Sequence, residues 1–176
     1  MKTIVRMLGV TIALAIGLGT QGRAQSTDEL EAAGVAHFKK AYYESLPKKK
    51  PAEADEEFRK AETALRKAIQ QNPDRVSAYQ HLGRTLFVQA KYQAAAKVYG
   101  DALKIDPENK PVYLQLASAQ EQSGDYGGAV ATLQMLRAKE TDPAALNRLD
   151  ELIGRLKARQ AAPGEQQSIS GKGGAK

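Results

Sequence analysis

The residues able to do chemistry are few, and they do not converge. His37 and His81 are 44 positions apart, neither belongs to a His-x-x-x-His pair, and the sequence contains no cysteine. Metal sites need three or four donors brought together from recognisable clusters. A lone histidine on a helix is a packed or groove residue, and no metal is expected. The missing cysteines also exclude a thiol nucleophile, a disulfide and a lipid-acylated N-terminal cysteine. Gly124-x-x-Gly127-Gly128 is not preceded by the strand of a phosphate-binding loop. Gly171-Lys172-Gly173-Gly174 lacks the upstream glycine spacing and the following helix of a Walker loop. Carboxylates are plentiful but scattered over solvent faces, with no pair placed to act as acid and base. The chain is therefore predicted to be no enzyme, without catalytic residues or cofactors.

One further stretch has chemical character. Lys39-Lys40-Ala41-Tyr42-Tyr43 is followed closely by Lys48-Lys49-Lys50, and basic residues interleaved with tyrosines attract an acidic partner or an anionic surface. The plainer reading, a solvated helix end and loop with Tyr42 or Tyr43 covering the core, is preferred from sequence alone, because most charge runs are solvated faces.

Charge must be read after the N-terminus is set aside. Lys2 and Arg6 precede 13 uncharged residues, Met7 to Gly19, and Gly22-Arg23-Ala24 follows with small residues at its first and third places. That order is a cleavable secretory signal, and the apolar run falls short of the roughly 20 residues of a bilayer span. Cleavage is expected after Ala24, leaving a chain from Gln25 in the periplasm or outside a bacterial cell, without stable membrane insertion. The whole sequence has 26 Lys+Arg against 20 Asp+Glu. Lys2, Arg6 and Arg23 leave with the signal, so the remainder carries 23 against 20. So small an excess, unclustered, gives no reason to expect nucleic acid.

What would position any site is a repeat. At an offset of 34, Tyr79 aligns with Tyr113, Leu82 with Leu116, Gly83 with Ala117, Tyr92 with Tyr126, Ala95 with Ala129 and Tyr99 with Leu133. In the other direction Phe58 aligns with Tyr92, Ala61 with Ala95, Leu65 with Tyr99 and Pro73 with Pro107. Small residues at 83, 95, 102, 117 and 129 permit close helix crossing, and Leu82, Leu86, Tyr92 and Tyr99 fill the space between units. Pro107 ends a helix, and Gly124 suits the positive φ that a helix C-terminus often needs.

Residues 76–109 resemble the tetratricopeptide repeat (TPR). The signatures are Tyr79-x-x-Leu82-Gly83-x-x-Leu86, then Tyr92-x-x-Ala95-x-x-x-Tyr99-x-x-Ala102, then Ile105-Asp106-Pro107. Residues 110–143 are a second copy, with Ala117 for the glycine and the final proline moved to Pro143. The expected fold is all-α: a right-handed α-solenoid of three TPR helix pairs plus a C-terminal capping helix. The units are about 28–75, 76–109 and 110–143, within a domain spanning 25–160. The first is irregular, because Gly34 to Phe58 spans 24 positions where Gly83 to Tyr92 spans nine. Helices are predicted from Asp28 to Ser45 and from Asp55 to Gln71, broken by Pro47, three lysines and Pro51. Asp142 is the predicted N-cap of the capping helix, 143–160, which buries Leu146, Leu149, Leu152, Ile153 and Leu156. Residues 161–176 turn to Pro, Gly, Gln, Ser and Lys without periodicity and read as a disordered tail.

The resemblance implies a protein or peptide partner, held as an extended segment or helix on the concave face. By register the groove residues are Ser77, Gln80, Arg84, Phe87 and Val88, then Leu114, Ser118, Glu121 and Gln122, with Glu31, Val35 and Phe38 from the first unit. Some members clamp a C-terminal carboxylate with Lys and Asn; here those places hold Gln80, Arg84 and Ser118, a departure from that pattern. Phe87 and Val88 fit packing inside the unit equally well. The function expected is an adaptor of the bacterial cell envelope. The alternative is a structural or assembly subunit of a larger envelope complex (secretion, pilus or outer-membrane machinery).

Overall fold

A computed structural model describes residues 25–162. The expected signal segment, 1–24, and residues 163–176 of the expected tail lie outside the described residues. Among the described residues the chain is all helical: α1 (Thr27–Lys39), a π-helical turn (Lys40–Ser45), α2 (Pro51–Gln71), α3 (Val76–Val88), α4 (Tyr92–Ile105), α5 (Lys110–Gln122), α6 (Tyr126–Ala138) and α7 (Pro143–Ala161).

Local chemistry explains most of the boundaries. Ser26 and Glu29 form a capping box at the start of α1, each side chain accepting the other's backbone N–H at 3.2 and 2.8 Å. Asp125 and Asp142 cap α6 and α7, accepting from the N–H of Gly128 and of Ala145, both at 2.9 Å. The turn between α5 and α6 passes through Gly124 at φ +84, where glycine costs nothing. One repeat earlier Ala90 takes the same left-handed conformation, φ +57, with an alanine Cβ.

Two boundaries differ from the sequence reading. The helix expected to run from Asp28 to Ser45 is α-helical only to Lys39. It then widens into the π turn, in which Leu46 N–H donates to Ala41 and Lys50 N–H to Ser45, each five residues back. The second helix begins at Pro51 instead of Asp55: Pro51, read as a breaker, opens the helix, where its missing N–H has no partner to lose. At the other end α7 takes in Ala161, assigned above to the tail.

Each helix packs on its neighbours in the chain, and α1 also touches α3. The result is a helical solenoid. Leu65, Leu82, Leu86, Tyr99 and Val112 form its central core, joining the first unit to the third. Tyr113, Leu133, Leu136, Leu149, Ile153 and Leu156 form the next layer, which α7 closes. Burying each such side chain contributes about 1.5–3 kcal/mol, so interior stacking carries the fold. The small residues of the first helices have a more specific cause than backbone proximity. A Cβ at Gly83 would sit 2.5 Å from the Tyr99 ring, and one at Gly34 would sit 2.5 Å from Leu65. Leu65 and Tyr99 are themselves one repeat apart, and Ala117 lies in the same cluster as Leu133, the third member of that series.

Candidate functional site

The first helices of the three pairs, α1, α3 and α5, supply the residues predicted to face a partner. Between α1 with its π turn and α3 lies a cleft of about 230 Å³. Its walls are Val35, Phe38, Lys39 and Tyr43 on one side and His81 and Arg84 on the other, over buried Leu65 and Thr85. The Arg84 guanidinium carbon lies 5.1 Å from the centre of the Phe38 ring, within the range of a cation–π contact. Phe38 stacks on Tyr42 at 5.6 Å, and Tyr42 meets Tyr43 edge-on at 4.9 Å. Thr85 donates its hydroxyl to the His81 carbonyl at 2.8 Å, so that proton is not offered to the cleft. The floor is therefore apolar and the rim is aromatic and cationic.

The electrostatics are asymmetric. Burial pushes His81 below the ordinary imidazole pKa despite Glu31, whose carboxylate is 3.6 Å from His81 Nε2. Glu31 is also held by Arg75, which donates to it at 2.7 Å. Lys39 and Arg84 have no carboxylate within ion-pair distance among the described residues, whereas the nearby Lys40, Lys60 and Arg75 are all engaged. Two free positive charges flank one aromatic cleft.

Behind it, Glu57 is buried and ties the first unit together. Its carboxylate meets His37 Nδ1 at 2.6 Å and accepts from Lys40 at 3.0 Å and Lys60 at 3.1 Å. The His37 hydrogen bond, helped by the two ammonium groups, holds the carboxyl down at about 2. With its partners all supplied by α1, the π turn and α2, it is a structural pin. Among the described residues no three His, Cys, Asp or Glu side chains gather as a metal site, and no helix is long and apolar enough to cross a membrane.

The predicted groove residues divide. Arg84 is exposed and lines the cleft with Val35 and Phe38. Leu114 and Gln122 are exposed and Ser118 is half-buried on α5, away from that cleft. Glu121 is taken by Arg159 of α7 at 2.7 Å. Ser77 and Gln80 are half-buried, and the Ser77 hydroxyl accepts from Arg75. Phe87 packs edge-on against Tyr92 at 5.2 Å in the central core, and Val88 packs against the cluster of Phe38 and Phe58. Both are core contacts more than groove surface. The grouping of Lys39, Tyr43 and His81 was not assembled from sequence, because the π turn that brings Tyr43 round has no sequence signal of its own.

Two family models described as tetratricopeptide repeat match residues 52–110 and 86–153, together covering most of the described helices. No curated protein matches. Among solved structures, the TPR2B domain of yeast Sti1 in its pHsp70 complex is similar at TM-score 0.58 and 19% identity, over 76% of this chain and 97% of that one. The TPR2AB domain of yeast Sti1 in its pHSP90 complex gives 0.55 and 20%, over 77% of this chain and 46% of that one. The first TPR of Spaghetti (RPAP3), bound to the HSP90 peptide SRMEEVD, gives 0.50 and 14%, over 73% and 98%. At these identities the likeness is one of fold. With the 34-residue register, the stacked helix pairs and both family matches in agreement, the chain belongs to the tetratricopeptide-repeat family.

Proposed function

We propose that this protein is an exported interaction module of the bacterial cell envelope, holding a partner peptide or helix on the face lined by α1, α3 and α5. The observation that carries the reading is the cleft at Phe38, Tyr43 and Arg84, where an apolar floor adjoins two unpaired cations. A pocket of that size takes one side chain of a partner, and the flanking charges fix its orientation. The similar solved structures named as pHsp70 and pHSP90 complexes, and the one named as bound to an HSP90 peptide, lend the reading support by analogy of fold. Export rests on the order of residues in 1–24.

The test is capture of partners from a native envelope fraction by tagged protein, wild type against Lys39→Glu with Arg84→Glu. Both side chains are exposed, so helix content stays unchanged while the captured partner is lost. Equal capture by both proteins removes the cleft from the binding site.

A further inference from the structure

The π turn and the loop after it have no counterpart in the regular units. From Leu46 to Ala52 every residue is exposed, and in the π turn only Ala41 and Ser45 are buried. Three of the five large hydrophobic side chains exposed among the described residues belong to this segment: Tyr42 at 39%, Tyr43 at 59% and Leu46 at 43%. The loop closes on itself, with Lys49 N–H donating to Leu46 at 3.0 Å and Lys49 in the left-handed region at φ +56. Leu46 and the lysines therefore share one tight turn. Lys48 and Lys49 have no carboxylate partner among the described residues, while Lys50 is paired with Glu53. Glu44 is the one acidic residue between Lys39 and Lys50.

From this arrangement we infer that the knob formed by Tyr42, Tyr43, Leu46, Lys48 and Lys49 docks the protein reversibly on an anionic lipid surface. Tyrosine rings sit well at the headgroup level, one end apolar and the other wet. Leucine reaches past them, and lysine stems lie along the apolar part while their ammonium groups meet phosphates. The charges are complementary: unpaired lysines face a surface of negative headgroups. Exposed tyrosines and a leucine beside unpaired lysines combine the apolar and cationic contacts that a headgroup layer offers together. The contact is peripheral, since the segment is far too short to span. Tyr43 also borders the cleft described above, so docking would hold that cleft close to the membrane.

The experiment uses the chain from Gln25 to Lys176, which contains every core residue described and omits the apolar N-terminal run, Met7 to Gly19, that would confound lipid binding; circular dichroism first establishes that it is helical. It is sedimented with vesicles of phosphatidylcholine plus phosphatidylglycerol, and with phosphatidylcholine alone. Expected is co-sedimentation with the anionic vesicles only, weakening as salt rises. Each lysine near such a surface strengthens binding about fivefold, so Lys48→Glu with Lys49→Glu lowers it by ~25-fold or more. Tyr43→Ser with Leu46→Ser lowers it by about tenfold or more through lost apolar burial. Circular dichroism of both variants stays at the wild-type helix content. Equal binding to neutral vesicles, no binding to either, or unchanged binding of either variant overturns the inference. So does a charge variant that fails while the apolar variant binds normally and soluble polyglutamate competes, because that pattern belongs to an acidic protein partner.

Discussion

Gly83 and Tyr99 form a matched pair, and their geometry decides which of two opposed effects wins. An alanine within a helix is worth about 1 kcal/mol over glycine, but at position 83 its Cβ would lie 2.5 Å from Cε1 and 2.7 Å from Cζ of a buried ring. Overpacking of that kind costs about 1–3 kcal/mol, and the ring is buried in the central core. Gly83→Ala is therefore destabilising in the wild type. In a Tyr99→Leu background the obstruction is gone, as in the third unit, where Ala117 and Leu133 share a cluster. There the same substitution becomes neutral or stabilising. Urea denaturation of the two single variants and the double variant measures the coupling, expected at about 1 kcal/mol or more. Additive effects would show that the small residue answers to something other than the ring.

Among the elements, the joint between α1, the π turn and α2 depends on ionisation. Glu57 has its carboxyl held at about 2 in the folded protein, below its ordinary value of 4.5. Its contribution is fully present above pH 4.5 and is lost as pH falls from there towards 2. Thermal melts of wild type and Glu57→Gln should therefore differ clearly at pH 6 and converge as the pH drops through that window. A difference independent of pH would make the contact one of shape alone. The regular pairs, α3 to α6, were legible because Tyr79, Gly83, Tyr92 and Tyr99 are answered 34 residues on by Tyr113, Ala117, Tyr126 and Leu133, residue types set by packing. The first unit was less legible. Nothing in Lys-Ala-Tyr-Tyr-Glu-Ser distinguishes a π turn from an α-helix, whereas the burial of Ala41 with Ala54 and Phe58 of α2 is a tertiary fact. Pro51 reads equally as a break or as a first helical residue. In the site, Arg84 and Phe38 could be placed by register, but their stacking depends on tertiary approach. Phe87 and Val88 show the reverse limit, because an apolar residue at a groove position can as easily turn inward.

For the whole molecule, α7 has the largest leverage. Its Leu149, Ile153 and Leu156 are buried against Tyr113, Leu133 and Leu136. Arg137 also pairs with Asp150 and Arg159 with Glu121 across the same interface. Ending the chain at Thr141 forfeits on the order of 5 kcal/mol of apolar burial, a large part of the stability of an ordinary domain. The expected result is a midpoint lowered by well over 10 °C and exposure of the third unit to hydrophobic dyes. A truncated chain that melts like the full one would deny α7 its closing role. The packing that makes α7 matter also has a mechanical side. Because contacts run almost wholly from each helix to the next, a pull on the two ends would be resisted by one interface at a time. The protein would lengthen under tension by shedding hairpins in succession, giving way gradually like a strip being peeled.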